Sequence, residues 1–441
     1  MNEVYRQEIG GRIREIIGMI QPADPKSFLI DLGTCLYDIV LEGEECFSGI
    51  KAAVDTYEPA EEHMQYVMNG IYVRHPELPP RRYLPERGIL AVSRACLARI
   101  EELLMTADSG EWKACGYETQ ASVIFREMFG CMIRERLIND FLTPEDLCDM
   151  MVRMAEPAAG ELVLDPACGS GRLLAAANRQ CPECIPEGND MNPAFRELAF
   201  FNLFFSGERA ARIYGKDFLQ TEYDELPAAD LILSNPPYTD KSDLTVQFTD
   251  RIVRQLKDNG RCAILVPQGF LTNSSSHIVT GMRRWILDQL TLEAVISLPR
   301  KIYRPYMESY SSLLMIRRRQ SPEDYPVFIS MLPECADADV YGGEENRGIE
   351  SSAGGNYRQA MEEIVTQWKQ YQKGEQLNEN IARIVPTHVM RENSYIFAAE
   401  NYWEESYVSV RRKMADLREK LSEEQSRLDR MMAGMFRERN G

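Results

Sequence analysis

Apolar residues change their spacing partway along the chain. In the first part, GRIREIIGMI, FLIDLGTCLYDIVLEG and GILAVSRACLARIEELLMTA carry them at intervals of three and four, the pattern of amphipathic helices. Pro76, Pro79, Pro80 and Pro85 punctuate these segments, and residues 1–125 are expected to form a helical domain. From about residue 160 the apolar positions gather into short runs: ELVLDP, CIPEGND, ARIYGKD, DLILSNPP, GRCAILVP, EAVISLP and SYSSLLMIR. Helical segments separate the runs. Strand then helix, repeated, predicts an α/β fold whose mostly parallel sheet is covered on both faces. The stretch from Pro299 to Tyr310 is too short for a crossover helix, so the last run is expected to pair antiparallel with its predecessor. These elements assign residues 126–340 to a catalytic domain.

Beyond the sheet, YGGEENRGIESSAGGN (341–356) is glycine-rich and polar and is expected to be a mobile loop. It opens a flexible, connecting region over 341–402, with a helix around 358–373. From 403 to 441, Val410, Met414, Leu417, Leu421, Leu428, Met431 and Met435 follow a heptad spacing that Glu424 interrupts. Such a helix either packs on its own domain or docks a partner.

The length of 441 residues allows a sizeable core in one large domain with helical additions, or in two to three domains. No apolar run approaches membrane-spanning length and the N-terminus is too charged for a signal peptide, which points to the cytoplasm. Eleven scattered cysteines read as reduced thiols, and the single CxxC, Cys181 to Cys184, lacks the further ligands that a tetrahedral metal site needs. No metal is expected. A formal charge of -18 excludes a protein that grips nucleic acid with its whole surface. Locally the balance differs. Between Arg283 and Arg319, eight basic residues face three acidic ones, and Arg300, Lys301, Arg317, Arg318 and Arg319 are candidates to contact a DNA backbone. The alternative is a solvated helix end and strand edge.

Candidate chemistry lies where the strands end. In LVLDPACGSGRLLAAA (162–177), Asp165 closes a strand, Pro166 and Ala167 follow it, Gly169 and Gly171 make a turn, and a helix begins near Arg172. Ligands of open parallel sheets bind at that position, and glycines let them approach the backbone. The next strand ends at Asp190, at the spacing from the turn where a carboxylate binds ribose hydroxyls, and a third ends in Lys216, Asp217 and Phe218, an acid and a ring suited to adenine. A lone loop or N-cap carboxylate explains any one of these acids, but not three at consecutive strand ends. The fourth strand runs into Asn235-Pro236-Pro237-Tyr238. Two prolines stiffen the backbone and remove N–H donors, leaving the Asn235 side-chain oxygen and the Pro236 carbonyl as acceptors beside an aromatic face. That set suits a weakly basic, planar amine.

DPACGSG followed by NPPY, with FLTP (141–144) upstream, resembles the amino-group DNA methyltransferases that use S-adenosylmethionine. More narrowly, VISLPRKIYRPYMESYSSLLMIRR and RENSYIFAAENYW resemble segments of the modification subunit of type I restriction-modification systems. The resemblance covers about 126–410 and implies a Rossmann-like methyltransferase sheet. It also implies that Thr143 and the turn at Asp165, Gly169 and Gly171 hold the methionine part, Asp190 the ribose, and Asp217 with Phe218 the adenine. Asn235 and Pro236 would accept from the N6 amine of a flipped adenine, with Tyr238 stacking on it and Tyr303, where the family commonly has phenylalanine, closing the other face. Asp190 stands where glutamate is more usual and reaches less far. Double-stranded DNA, a specificity subunit and a restriction subunit of the nuclease or translocase kind are the partners implied. The sequence has no separate target-recognition domain, so base reading is expected from another subunit. A methyltransferase acting on a protein glutamine amide or on RNA is the competing reading, and a non-catalytic scaffold the third.

Overall fold

A computed structural model describes residues 3–20, 24–42, 60–79, 94–106, 117–138, 142–208, 211–237, 242–303, 308–333 and 356–403. The N-terminal part is helical as expected: α1 (Glu3–Met19), α2 (Pro25–Glu42), α3 (Ala60–Arg74), α4 (Arg94–Thr106) and α5 (Tyr117–Arg134) precede α6 (Glu145–Ala155). There follow β1 (Leu162–Asp165), α7 (Arg172–Gln180), β2 (Ile185–Asn189), α8 (Pro193–Phe204), β3 (Arg212–Tyr214) and β4 (Ala229–Ser234). The next elements are α9 (Ser242–Gln255), β5 (Leu256–Pro267), α10 (Gln268–Thr272), α11 (His277–Gln289), β6 (Thr291–Leu298) and β7 (Ser311–Arg317). The described chain closes with β8 (Pro326–Met331), α12 (Asn356–Gln372), β9 (Ala382–Pro386), α13 (Thr387–Glu392) and α14 (Glu400–Trp403).

All the described strands join one sheet in the order β3-β2-β1-β4-β5-β7-β6-β8-β9. β1 to β5 are mutually parallel, while β7 runs antiparallel between β5 and β6, so the short connection after Leu298 has the predicted effect. Alternate residues divide the core between two faces. Val163, Leu231, Leu233 and Leu265 pack with α6, α7 and α12, whereas Leu164, Ile232, Ile264 and Val266 pack with α9 and α11. Both faces being covered, the central strands carry continuous apolar runs, LVL in β1, LIL in β4, AILV in β5 and LLMI in β7.

The far edge differs from the sequence expectation. β8 pairs parallel with β6, and β9 pairs antiparallel with β8. β9 and α13 thus fall in the connecting region, while α12 is the helix expected around 358–373 and lies on the sheet, with Trp368 donating to the Met154 carbonyl at 2.9 Å and its ring meeting Phe328 edge-on. The glycine-rich segment up to residue 355 and the heptad segment from 404 lie outside the described residues.

The N-terminal helices pack on the sheet-bearing part through α8, whose Leu198, Phe201 and Phe204, with Phe205 just after it, belong to the same core as Phe28, Phe125 and Phe129. Close approach requires Gly33 in α2, where a Cβ would lie 2.9 Å from the Phe201 ring and 3.0 Å from Phe125. Gly33→Val should lower the unfolding free energy by about 1–3 kcal/mol through overpacking, read as a reduced urea midpoint. An unchanged midpoint would show that the two layers are not fastened there.

Candidate functional site

Strand order reverses between β1 and β4: β2 and β3 lie to one side of the seam, β5 and its followers to the other. A crevice opens at the carboxyl ends of strands where such a reversal occurs. Asp165 ends β1 and Asn235 follows β4, so the DPACGSG and NPPY segments face each other across it.

On the β1 side, Asp165 is buried. Its Oδ1 accepts from the Ala167 amide at 3.1 Å and from Ser234 Oγ at 3.0 Å. Burial pushes its carboxyl up to about 7, against the pull of those two hydrogen bonds, and the Asp190 charge adds to the rise. The turn needs both glycines, for different reasons. Gly169 (φ +51°) leaves open space where a Cβ would stand, and Gly171 (φ +74°) would drive a Cβ to 2.8 Å from the Ala199 backbone of α8. Asp190 receives the turn, accepting from the Gly169 amide at 2.9 Å and the Asn192 amide at 2.8 Å. Its carboxyl is likewise raised, chiefly by desolvation. Asp217 Oδ1 accepts from the Leu219 amide at 3.1 Å. Asp165, Asp190 and Asp217 thus lie on one rim, each tied to the backbone of the loop it begins.

A residue not singled out in the sequence organises these loops. Asn189 Nδ2 donates to the carbonyls of Pro166 (2.9 Å) and Lys216 (3.0 Å), and its Oδ1 accepts from the Lys216 amide (2.8 Å). The signal for it was an amide ending an otherwise featureless strand, GND.

On the β4 side, Asn235 Nδ2 donates to Thr143 Oγ1 at 2.9 Å, while Asn235 Oδ1 is buried without a partner among the described residues. Pro236 is buried and Pro237 exposed. Tyr238 lies outside the described residues. Among the described residues this leaves an unused, buried amide acceptor at the end of β4.

Packing and topology decide where three of the expected groups stand. Phe218 is buried and stacks on Phe248 (centroids 5.9 Å apart). Tyr303 is also fully buried, its hydroxyl accepting from Ser311 Oγ at 3.1 Å. Because β7 is antiparallel, its seven residues carry Arg317, Arg318 and Arg319 to the opposite end of the strands, roughly 20 Å from the rim. There Arg317 pairs with Glu293 and Arg318 caps the Arg254 carbonyl. Arg300 and Lys301 follow β6 directly and do lie on the rim, Arg300 pairing with Glu308 at 3.3 Å. Among the described residues no helix is long and apolar enough to cross a membrane.

A doubly wound sheet with a glycine turn, successive rim carboxylates and an asparagine-proline crevice defines the Rossmann-like methyltransferase class. Comparison with known proteins narrows this: the model of the N-6 DNA Methylase family matches residues 134–409, and the chain belongs to that family. It is similar to the EcoEI type I restriction enzyme methylase subunit of Escherichia coli, 22% identical over 240 residues that cover 45% of this chain and 48% of that protein. Similarity to the StySPI methylase subunit of Salmonella potsdam is also 22%, over 46% of each chain. The chain thus spans about half the length of the curated relatives it matches. Among solved structures, a chain of a type I R-M system superposes with a TM-score of 0.65 at 20% identity, covering 94% of this chain and 97% of that one. The methyltransferase subunit of a type I system from Streptococcus thermophilus gives 0.59 at 15% identity, covering 91% and 99%. These likenesses establish the fold.

Asp165 supplies a test of the electrostatics. With a folded pKa near 7 against an ordinary 3.8, the folded state holds a proton that the unfolded chain releases. Stability should fall as pH rises from about 4 to 7, by up to ~1.4 kcal/mol per pH unit. Asp165→Asn should remove that slope in denaturant titrations at stepped pH. A slope equal to the wild type would mean that Asp165 is ionised throughout.

Proposed function

We propose that this protein is an S-adenosylmethionine-dependent DNA adenine-N6 methyltransferase, the modification subunit of a type I-like restriction-modification assembly in the cytoplasm. Its partners are then double-stranded DNA, a specificity subunit and a restriction subunit. The observation that carries the reading is Asn235 Oδ1, buried and without a hydrogen-bond partner among the described residues, at the end of the strand beside the one that feeds the glycine turn. Family membership and the similarity to type I methylase subunits support it.

The β1–β3 rim fits the cofactor. The open space above Gly169 leaves room for a group against the backbone, and Asp190 and Asp217 stand where hydroxyls and an adenine amine can donate. Bound there, S-adenosylmethionine supplies an electrophilic methyl group on a sulfonium. The chain's own residues do the rest by positioning. Asn235 Oδ1 and the Pro236 carbonyl accept the two N–H groups of the flipped base, which concentrates electron density on a nitrogen of low basicity. The Gly169 turn, Asp190 and Asp217 would hold the cofactor so that the methyl it would supply lies beside the amine presented by Asn235 and Pro236. Neither Asn235 nor Pro236 needs to form a covalent bond. Crevice walls that exclude water and hold the two reactants in line provide most of the acceleration. Tyr238 follows Pro237 directly and is the aromatic candidate for stacking on the base.

The test is a map of N6-methyladenine in DNA from a host expressing the gene with its genomic neighbours. A motif should be modified with the wild type and unmodified with Asn235→Ala. No modified motif, with all subunits present, would move the substrate to RNA or to a protein amide. DNA binding supplies a second prediction. Arg300→Ala with Lys301→Ala should flatten the salt dependence, by about 0.9 in log–log slope for each phosphate no longer neutralised. Arg319→Ala, at the opposite end of the strands, should leave the slope unchanged, and the reverse pattern would place the duplex on the other end of the sheet.

A further inference from the structure

The side chain of Asn235 has two ends of nearly equal shape and opposite chemistry, an acceptor oxygen and a donor amine. Only one orientation is useful to a substrate that is itself an N–H donor. With Nδ2 facing the crevice, donor would meet donor and the target amine would be pushed away. The local chain does little to choose, since Pro236 and Pro237 have no N–H to hold the oxygen inward.

We propose that Thr143 is a positioning residue that anchors the Asn235 side chain by accepting from Nδ2, with Oδ1 left for the target amine. The bond is 2.9 Å long and joins residues 92 positions apart, while Oδ1 itself is buried and has no partner among the described residues. Thr143 is suited to the task because it is held in turn. Its carbonyl accepts from Arg172 Nη1 at 3.1 Å, and Arg172 opens the helix that follows the glycine turn, its guanidinium 5.0 Å over the Phe129 ring. Pro144 restricts the backbone immediately after it, and the Pro144 carbonyl accepts from the Cys148 amide to begin α6. The hydroxyl therefore stands on a frame built from the cofactor side of the crevice and acts on the target side. This assigns Thr143 a part in the reaction separate from the cofactor contact that the sequence suggested, and it rests on the reading of the site given above.

The test uses the full-length chain purified with its partner subunits. Thr143→Val keeps the shape and removes the acceptor; Thr143→Ser keeps the acceptor. For Thr143→Val, kcat for DNA methylation should fall roughly 10- to 100-fold, the scale of misplacing a reacting group. The calorimetric Kd for S-adenosylmethionine and the KM for DNA should stay within about twofold of wild type, and the melting temperature should be essentially unchanged. Thr143→Ser should restore kcat to within a few-fold. Wild-type kcat in Thr143→Val would overturn the proposal. So would a loss of cofactor affinity that matches the loss of rate, which would reduce Thr143 to a cofactor contact. A wild type that binds the cofactor yet methylates no adenine would count against the substrate reading and against this role together.

Discussion

Ser234 donates to Asp165 across the seam between β1 and β4, and the rest of the site takes its place from that contact. It sets the ends of two neighbouring strands level, one feeding the glycine turn and the other the Asn-Pro-Pro segment. A carboxyl group buried this deeply resists ionisation, so the hydrogen bonds from Ser234 and the Ala167 amide are what keep it useful as an acceptor. On one side Asn189 gathers the three cofactor-side loops. On the other, Thr143 and Asn235 close the wall. The helices on both faces hold the strands in register, and the N-terminal layer braces α8, which carries the Ala199 that Gly171 approaches.

Much of this can be read from the chain. Strands buried on both faces must be apolar throughout, so LVLD, LILS and CAILVP announce themselves, and a GxG after an aspartate states that a turn with positive φ follows. The antiparallel β7 follows from the length of the preceding connection. What escapes depends on contacts between distant residues. Nothing near Thr143 indicates a bond to a residue 92 positions on. Asn189 looks like an ordinary loop amide until its three partners converge. β8 and β9 are hard to see because PVFISM and ARIVP are short runs beyond the region where the helix–strand alternation is clear.

Packing and strand direction govern several of these positions. Phe218 and Tyr303 are aromatic residues placed beside functional segments, but a large ring gains more by entering the core than by lining a wet crevice, and both are buried. The arginines at 317–319 group with Arg300 and Lys301 only because they are near in sequence. A strand of seven residues separates the two sets, and its direction decides which end of the sheet each occupies. Charge counted along a chain says little about a field in space unless the topology is known.

The ends of the sheet bear on how the molecule can assemble. β3 has only three residues, and β9, at the other edge, is five residues long with Arg383 and Pro386 in it. A short edge or one interrupted by proline and charge is a poor template for a further strand. Among the described residues, neither margin invites a further strand to continue the hydrogen-bonded ladder, so a chain that met this one would do so more readily through helices and loops.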